Sequence, residues 1–374
     1  MIFFKIFLQS ILLLYLYSYI TREKNNKQLS KYLKKIFLKK SKEFYEKNNY
    51  VNLNQIESTL PKGRIWNKNL DKKNEINIGI QIDPTYILRA MMTITSIMDS
   101  QNPITKLRFH FAVVLLFKVE DMLKIYTLRD KVREDVEFNF YNAKRVETEL
   151  KNLNIKGPGA VAKLLLPQLI PDDIERLIVF DTGDLIVLRD LKEMYNWKMD
   201  DYLYLGVPDP YISTFAKITK KRFNVYINVG SFLINVKKVK LYNMYDKFRK
   251  YKNEYNSKVG DQNLLNDIAY NKTGYLPMRF GLRGPYMNDH DSDFGKNSIF
   301  GFINKIKINN FNFIPNNEND LLKIGYNPVV VHQCNGKWMD GKGMTVYRRL
   351  AQYYIKMAGI WDEICLIFPG YCQK

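Results

Sequence analysis

One stretch constrains the fold of this chain more than any other: Leu177-Ile178-Val179-Phe180-Asp181-Thr182-Gly183-Asp184-Leu185-Ile186-Val187-Leu188. Two apolar runs are separated by two carboxylates and a glycine. Such runs read as strands buried on both faces. Asp181 and Asp184 therefore leave a sheet at its carboxyl edge, where open α/β sheets bind ligands. Carboxylates between apolar strands are costly unless paired or holding a cation. An oxygen-rich site of this kind suits Mg2+ or Mn2+, ions that also bridge phosphates.

The surrounding pattern is that of an α/β protein. Strands are expected over Ile76–Ile82, Leu107–Leu116 and Val136–Tyr141, with a helix over Ile87–Met98 after the first. A helix over Ala160–Leu169, closed by Pro171, precedes the strand that carries Asp181. Tyr202–Val207 and Ile227–Val236 add two strands, Asp261–Tyr270 a helix, and the C-terminal third is mixed and loop-rich. Strands alternating with helices predict a mostly parallel central sheet flanked by helices. The chain has 374 residues, enough for a full core. Its hydrophobic share of 46% and aromatic share of 14% exclude a disordered chain. The formal charge is +20, but Lys and Asn are spread along the chain and no RNA- or DNA-binding signature accompanies them. The charge reads as solvated faces, and no nucleic-acid partner is expected.

The N-terminus has a different character. Ile6 to Ile20 is almost purely apolar, and Met1 to Phe4 extends the run past Lys5. With Lys5 it reaches the roughly 17-residue lower limit for a tilted or thinned bilayer. It is either a secretory signal or an anchor, and Ser18-Tyr19-Ile20 lacks a small-residue cleavage pattern, which favours the anchor. Arg22, Lys24 and Lys27 follow the run, a placement that the positive-inside rule associates with a cytosolic C-terminal side. The expectation adopted is nonetheless a membrane-anchored protein of the secretory pathway (ER or Golgi) with a lumenal catalytic part. Residues 21–49 carry ten Lys or Arg against three Glu, with Leu29, Tyr32, Leu33, Ile36 and Phe37 at helical spacing. This amphipathic stem either lies on anionic lipid or is a solvated spacer. The expected organisation is an anchor or signal over residues 1–20, a basic stem and linker over 21–75, and a catalytic domain over 76–374. The cysteines, Cys334, Cys365 and Cys372, allow one disulfide with one thiol left over, and no pairing follows from their spacing. Asn271-Lys272-Thr273 is a glycosylation sequon.

Several further motifs carry polar chemistry. Asp83-Pro84-Thr85-Tyr86 ends the first strand and reads as a turn with an aromatic ring beside it. Lys163 stands alone in Val161-Ala162-Lys163-Leu164-Leu165-Leu166, a costly place for a cation unless it reaches an anion or snorkels to solvent. Pro208-Asp209-Pro210 follows a strand, and Tyr226-Ile227-Asn228-Val229-Gly230-Ser231 lies within another. Gly260-Asp261-Gln262-Asn263-Leu264-Leu265-Asn266 opens a helix whose N-terminus favours a carboxylate. Val329-Val330-Val331-His332 brings a His to the end of an apolar strand, and Gly336, Lys337 and Lys342 follow it.

Taken in order from about Ile76 to Lys342, these motifs resemble glycosyltransferase family 8, the retaining enzymes that include glycogenin, bacterial galactosyltransferases and glucoside xylosyltransferases. The resemblance implies a GT-A type nucleotide-diphospho-sugar transferase fold, a UDP-sugar donor, a glycan or glycoprotein acceptor, and Mn2+ or Mg2+. It implies that Asp83 and Tyr86 hold the uracil, Lys163 approaches the phosphates, and Asn228 and Gly230 line the sugar site. Asp209, Asp261 and Gln262 are then the catalytic residues facing the sugar. The family's Asp-x-Asp is one residue longer here, which leaves two registers. Either Asp181 and Asp184 are the metal pair with Gly183 as a small bulge, or Thr182 replaces the first Asp. Asp184 is a ligand in both, and His332 completes the metal site. Gly336 and Lys342 match the element that holds the diphosphate, with Lys337 as rival for the lysine. Val229 stands where the family has Ser.

Three other readings compete. A catalytically impaired relative would act as a nucleotide-sugar or carbohydrate-binding module, a reading that the altered motif spacings allow. A phosphatase is disfavoured because Gly183 occupies the position of the second Asp it needs. A basic membrane-associated binding protein would owe its behaviour to residues 1–49 alone.

Overall fold

The computed structural model describes residues 74–114, 119–143, 161–209, 225–251, 260–283, 328–332 and 345–372. The chain divides into two units, Met1–Lys62 and Gly63–Lys374. The first, with its expected anchor and most of the stem, lies outside the described residues, as do Cys334, Gly336, Lys337 and Lys342. Among the described residues no helix is long and apolar enough to cross a membrane.

Alternating apolar strands assemble the second unit around a seven-stranded sheet. Its strands are β1 (Glu75–Ile82), β2 (Lys106–Val113), β3 (Val136–Asn142), β4 (Arg176–Phe180), β6 (Tyr204–Pro208), β7 (Ile227–Asn235) and β8 (Thr273–Tyr275), in the order β3-β2-β1-β4-β7-β6-β8. From β3 to β4 all neighbours run parallel, whereas β7 lies antiparallel to both β4 and β6. A second sheet holds β5 (Leu185–Val187), β9 (Leu282–Arg283) and β10 (Val330–His332), with β10 in the middle. The expected mostly parallel sheet is therefore present. The two apolar runs around Asp181 belong to different sheets, so the acidic turn is where the chain crosses from one to the other.

The sheet separates two apolar cores, which explains why β4 is apolar from Leu177 to Phe180. Ile178 and Phe180 enter one core with Ile78, Ile80, Phe109 and helix α1 (Ile87–Ser100). Leu177 and Val179 enter the other with Leu164, Leu165, Ile227 and Phe232. β5 packs on α1, where the Thr93 hydroxyl donates to the Leu185 carbonyl at 2.9 Å and the Val187 amide donates to the Ser96 hydroxyl at 3.0 Å.

Two of the expected elements differ in ways that the structure explains. The helix expected over Ala160–Leu169 is two short turns, a 3-10 turn at Ala162–Leu165 and an α-turn at Leu166–Leu169. Pro167 lacks an amide proton and cannot continue the first turn into the second. The strand expected from Tyr202 begins at Tyr204, because the Tyr202 amide closes a turn onto the Met199 carbonyl at 2.9 Å. Further helices are α2 (Val119–Lys131), α3 (Val236–Leu241), α4 (Met244–Arg249), α5 (Asp261–Ile268), α6 (Thr345–Met357) and α7 (Trp361–Ile367). Cys365 and Cys372 form a disulfide, which settles the pairing that spacing left open.

Candidate active site

β1 is followed in the sheet by β2 on one side and β4 on the other, so a crevice opens beyond the carboxyl ends of β1 and β4. Asp83 and Asp181 stand just past those two ends. β7 runs the opposite way, so Asn228 and Gly230, near its start, reach the same edge. The Asp181 amide donates to the Gly230 carbonyl at 2.8 Å, and the Thr182 hydroxyl donates to the Gln81 carbonyl. These bonds tie the acidic turn to the strands on either side. Gly183 then takes a φ of +78°. A Cβ there would stand 2.3 Å from Arg89 Cβ, so both conformation and space require glycine. The residue read as a bulge is a left-handed kink between two sheets.

Lys163 is the centre of the charge arrangement. Its side chain is 2% exposed, and its ammonium pairs with Asp181 Oδ1 and, at 2.7 Å, with Asp261 Oδ2. Burial alone would lower its pKa, but the two adjacent carboxylates more than reverse this and hold it above the ordinary lysine value. Asp261 opens α5, where the helix dipole also favours a carboxylate. The cation expected to need an anion has two, which join the acidic turn to the start of α5.

A second cluster adjoins the first. The Asn228 side chain donates through Nδ2 to Asp209 Oδ2 at 2.9 Å and to Gln262 Oε1 at 3.0 Å, and its Oδ1 accepts from the Gly230 backbone amide at 2.8 Å. Asp209 is buried at the end of β6. One residue not singled out in the sequence sets this cluster. The Asn266 carboxamide accepts from the Ile227 amide at 2.9 Å and donates to the Ile227 carbonyl at 2.9 Å, so it pins α5 to β7. Its signal was its place at the end of the Leu-Leu-Asn stretch after Gly260-Asp261-Gln262. Val229, where the family has Ser, points to the opposite face of β7 and is buried with Leu264 and Leu265.

His332 arrives from the second sheet. β10 pairs antiparallel with β5, and the register sets His332 opposite Leu185, beside the acidic turn. The imidazole lies against Gly230, where a Cβ would come within 2.1 Å of His332 Cε1. Its Nε2 is 4.0 Å from Asp181 Oδ2. This pair offers a carboxylate oxygen and an imidazole nitrogen, a donor set that suits Mn2+. Asp184 closes the same turn, but among the described residues no three His, Cys, Asp or Glu side chains gather closely enough to enclose a metal ion. The structure thus brings together two of the three expected ligands.

Asp83 and Tyr86 occupy the outer edge of the crevice. Asp83 caps the turn Pro84–Tyr86, accepting from the Thr85 amide at 2.8 Å. Tyr86 is 42% exposed.

Comparison with known proteins gives the family and the fold. The model of glycosyl transferase family 8 matches residues 77–333. A curated Haemophilus influenzae protein, provisionally named a glycosyltransferase, is 31% identical over 138 residues, covering 35% of this chain. The matched part is 41% of that relative's length. Among solved structures, the galactosyltransferase LgtC in complex with donor and acceptor sugar analogues gives a TM-score of 0.55 at 18% identity, covering 76% of this chain and 95% of that one. The bifunctional glycosyltransferase WbbM gives 0.60 at 17% identity, covering 78% and 51%. Mouse xyloside xylosyltransferase 1 gives 0.50 at 13% identity, covering 70% and 99%. With the family model matched across most of the chain and the sheet order described above, the protein belongs to glycosyltransferase family 8 and has the GT-A fold.

Proposed function

We propose that this glycosyltransferase moves a sugar from a UDP-sugar to a hydroxyl of a glycan or glycoprotein, with retained configuration at the anomeric carbon. The observation that carries the reading is Lys163. Its single buried ammonium joins the acidic turn to the Asp261-Gln262 pair, and Gln262 is joined through Asn228 to Asp209. Groups suited to a diphosphate and groups suited to a sugar thus form one connected set at one sheet edge.

In this reading Tyr86 stacks on the uracil and Asp83 fixes the turn that presents it. Asn228 and Gly230 line the sugar pocket, and Asp209, Asp261 and Gln262 face the reacting carbon. A divalent cation, Mn2+ or Mg2+, would be held by Asp181 and His332 with Asp184, and would offset the charge developing on the departing diphosphate. Lys163 contributes positive charge from the protein itself, next to Asp181 and Asp261. Gly336 with Lys342, or Lys337 in its place, would hold the diphosphate.

The direct test is release of UDP from a panel of UDP-sugars with Mn2+ present, for the full chain and for Asp184→Asn. Release from at least one sugar, reduced tenfold or more by the substitution, is expected. Unchanged release by Asp184→Asn overturns the metal assignment. A second reading, a binding module without turnover, is favoured by the gathering of only two metal donors among the described residues. UDP binding without release from any sugar would establish it.

We further propose that residues 1–20 attach the chain to a membrane of the secretory pathway, ER or Golgi, with the catalytic domain lumenal. The apolar run Ile6–Ile20 supports this, and so does the Cys365–Cys372 disulfide, a bond characteristic of oxidising compartments. Asn271 is exposed on a turn, so lumenal exposure predicts a mobility shift on N-glycosidase treatment that Asn271→Gln abolishes.

A further inference from the structure

Tyr86 is exposed, yet one face of its ring is already engaged. The Arg89 guanidinium lies 5.0 Å from the Tyr86 ring centroid and 5.4 Å from that of Phe368. Both distances are within the range of about 6 Å over which a cation is attracted to a ring face. Among the described residues no carboxylate engages this guanidinium, so the two rings hold it. Arg89 Cβ also lies against Gly183, the kink of the acidic turn.

Phe368 is itself held. It follows α7, and its amide donates to the Ile364 carbonyl at 2.8 Å. It sits inside the loop closed by Cys365–Cys372. Tyr371, in the same loop, is fully buried, and its carbonyl accepts from Arg348 Nη2 at 2.6 Å. A covalently closed, core-anchored loop therefore carries one ring of the sandwich, and the expected base-stacking residue carries the other.

We propose that Arg89 and Phe368 are positioning residues for the donor nucleotide. The disulfide loop sets Phe368, Phe368 and Tyr86 clasp Arg89, and Tyr86 is thereby oriented to offer its remaining face to the base. This rests on the reading that the site takes UDP. An exposed aromatic ring can turn about its side-chain bonds, and stacking on a base rewards one orientation only. A cation fixed behind the ring selects that orientation. Because one link is a disulfide, the alignment responds to reductant.

The test is calorimetric titration of the full chain with UDP and, separately, with inorganic diphosphate, both with Mn2+. Phe368→Leu and Arg89→Gln should weaken UDP binding roughly three- to tenfold and leave diphosphate binding within about twofold, since diphosphate has no base. Phe368→Tyr should restore UDP binding, and dithiothreitol should weaken it in the wild type but not in Phe368→Leu. Unchanged UDP affinity in both weakening variants overturns the proposal. Equal losses for UDP and diphosphate also overturn it, because the variants would then be disturbing the whole site. Failure of the wild type to bind UDP overturns the donor reading and this inference with it, an outcome distinct from a wild type that binds and variants that match it.

Discussion

Lys163 offers the sharpest test of the site because its environment is asymmetric. The ammonium is 2% exposed, whereas the side chains of Asp181 and Asp261 are 32% and 23% exposed. Removing the cation leaves two carboxylates that water can reach. Removing both carboxylates leaves a charge that water cannot reach. Breaking a buried pair costs about 3–5 kcal/mol when the remaining charge is uncompensated. That full cost applies to Asp181→Asn combined with Asp261→Asn. Lys163→Met keeps most of the side-chain volume and removes a desolvated charge, so about 1–2 kcal/mol is expected, after discounting for the solvent that screens the carboxylates. At about 2 cal/mol/K of melting entropy per residue, a unit of roughly 300 residues shifts by about 1.6 °C per kcal/mol. Scanning calorimetry should therefore show a fall of about 2–3 °C for Lys163→Met and about 5–8 °C for the double carboxylate variant. Adding Lys163→Met to the double variant should recover most of the larger loss, because it removes the stranded ammonium. Sugar transfer should be lost in all three. A double carboxylate variant as stable as Lys163→Met, or a triple variant no better than the double, would refute a buried ammonium held by two carboxylates.

Two shorter predictions concern the glycines of the site, and a third a buried histidine of the sheet. Gly230→Ala places a Cβ 2.1 Å from His332 Cε1; the ring must shift, and the apparent Mn2+ affinity of the reaction should fall at least tenfold, a reasoning that wild-type metal dependence would sink. Gly183→Ala must adopt a φ of +78° and meet Arg89 Cβ at 2.3 Å; left-handed strain of about 1–2 kcal/mol plus the collision should lower both the melting temperature and UDP release, and a variant normal in both would remove the kink from the account. His110 is fully buried, with Nε2 2.9 Å from Asn77 Oδ1 and Nδ1 3.0 Å from the Tyr141 hydroxyl. Burial, assisted by the nearby Arg108 charge, pushes its pKa down to about 3. Above pH 6.5 neither state binds a proton at this site. Below it the unfolded chain binds one that the folded protein refuses, so stability falls as pH drops toward 3. The loss is about 1.4 kcal/mol per unit, or roughly 2 kcal/mol at pH 5. Denaturant titrations of the wild type and His110→Gln should diverge in slope between pH 6.5 and 4; parallel curves would contradict a neutral buried imidazole.

The elements legible in the sequence were those whose burial leaves a one-dimensional trace. β4 lies between two cores and must be apolar from Leu177 to Phe180, and β1 alternates because only one of its faces is fully apolar. The identity of a partner leaves no such trace. Leu185–Val187 reads as a strand from its residues, but nothing in them says that it joins Val330–His332 in a separate sheet. Lys163 shows the same boundary. A lone cation among leucines implies an anion, yet the sequence could not tell a ligand phosphate from Asp181 and Asp261, because the choice depends on where the start of α5 falls relative to β4. Asn266 is visible as the end of its motif but its role is not, because a carboxamide in a helix looks ordinary until a strand edge is found within its reach.

The longer acidic motif follows from the same sheet crossing. Asp181 is fixed at one end by the hydrogen bond from its backbone amide to the Gly230 carbonyl, while Leu185 is fixed at the other by its pairing with His332. Thr182, Gly183 and Asp184 must bridge those two anchors. Thr182 uses its hydroxyl to hold the turn to the end of β1. Gly183 absorbs the added residue by turning left-handed, against Arg89 where no side chain would fit. The insertion therefore need not slide β5 against β10, which would carry His332 away from Asp181. It is taken up within the turn, and the carboxylate and imidazole still face each other across 4.0 Å. A chain that lengthened this motif without a glycine would have to choose between the sheet register and the Asp181–His332 pair.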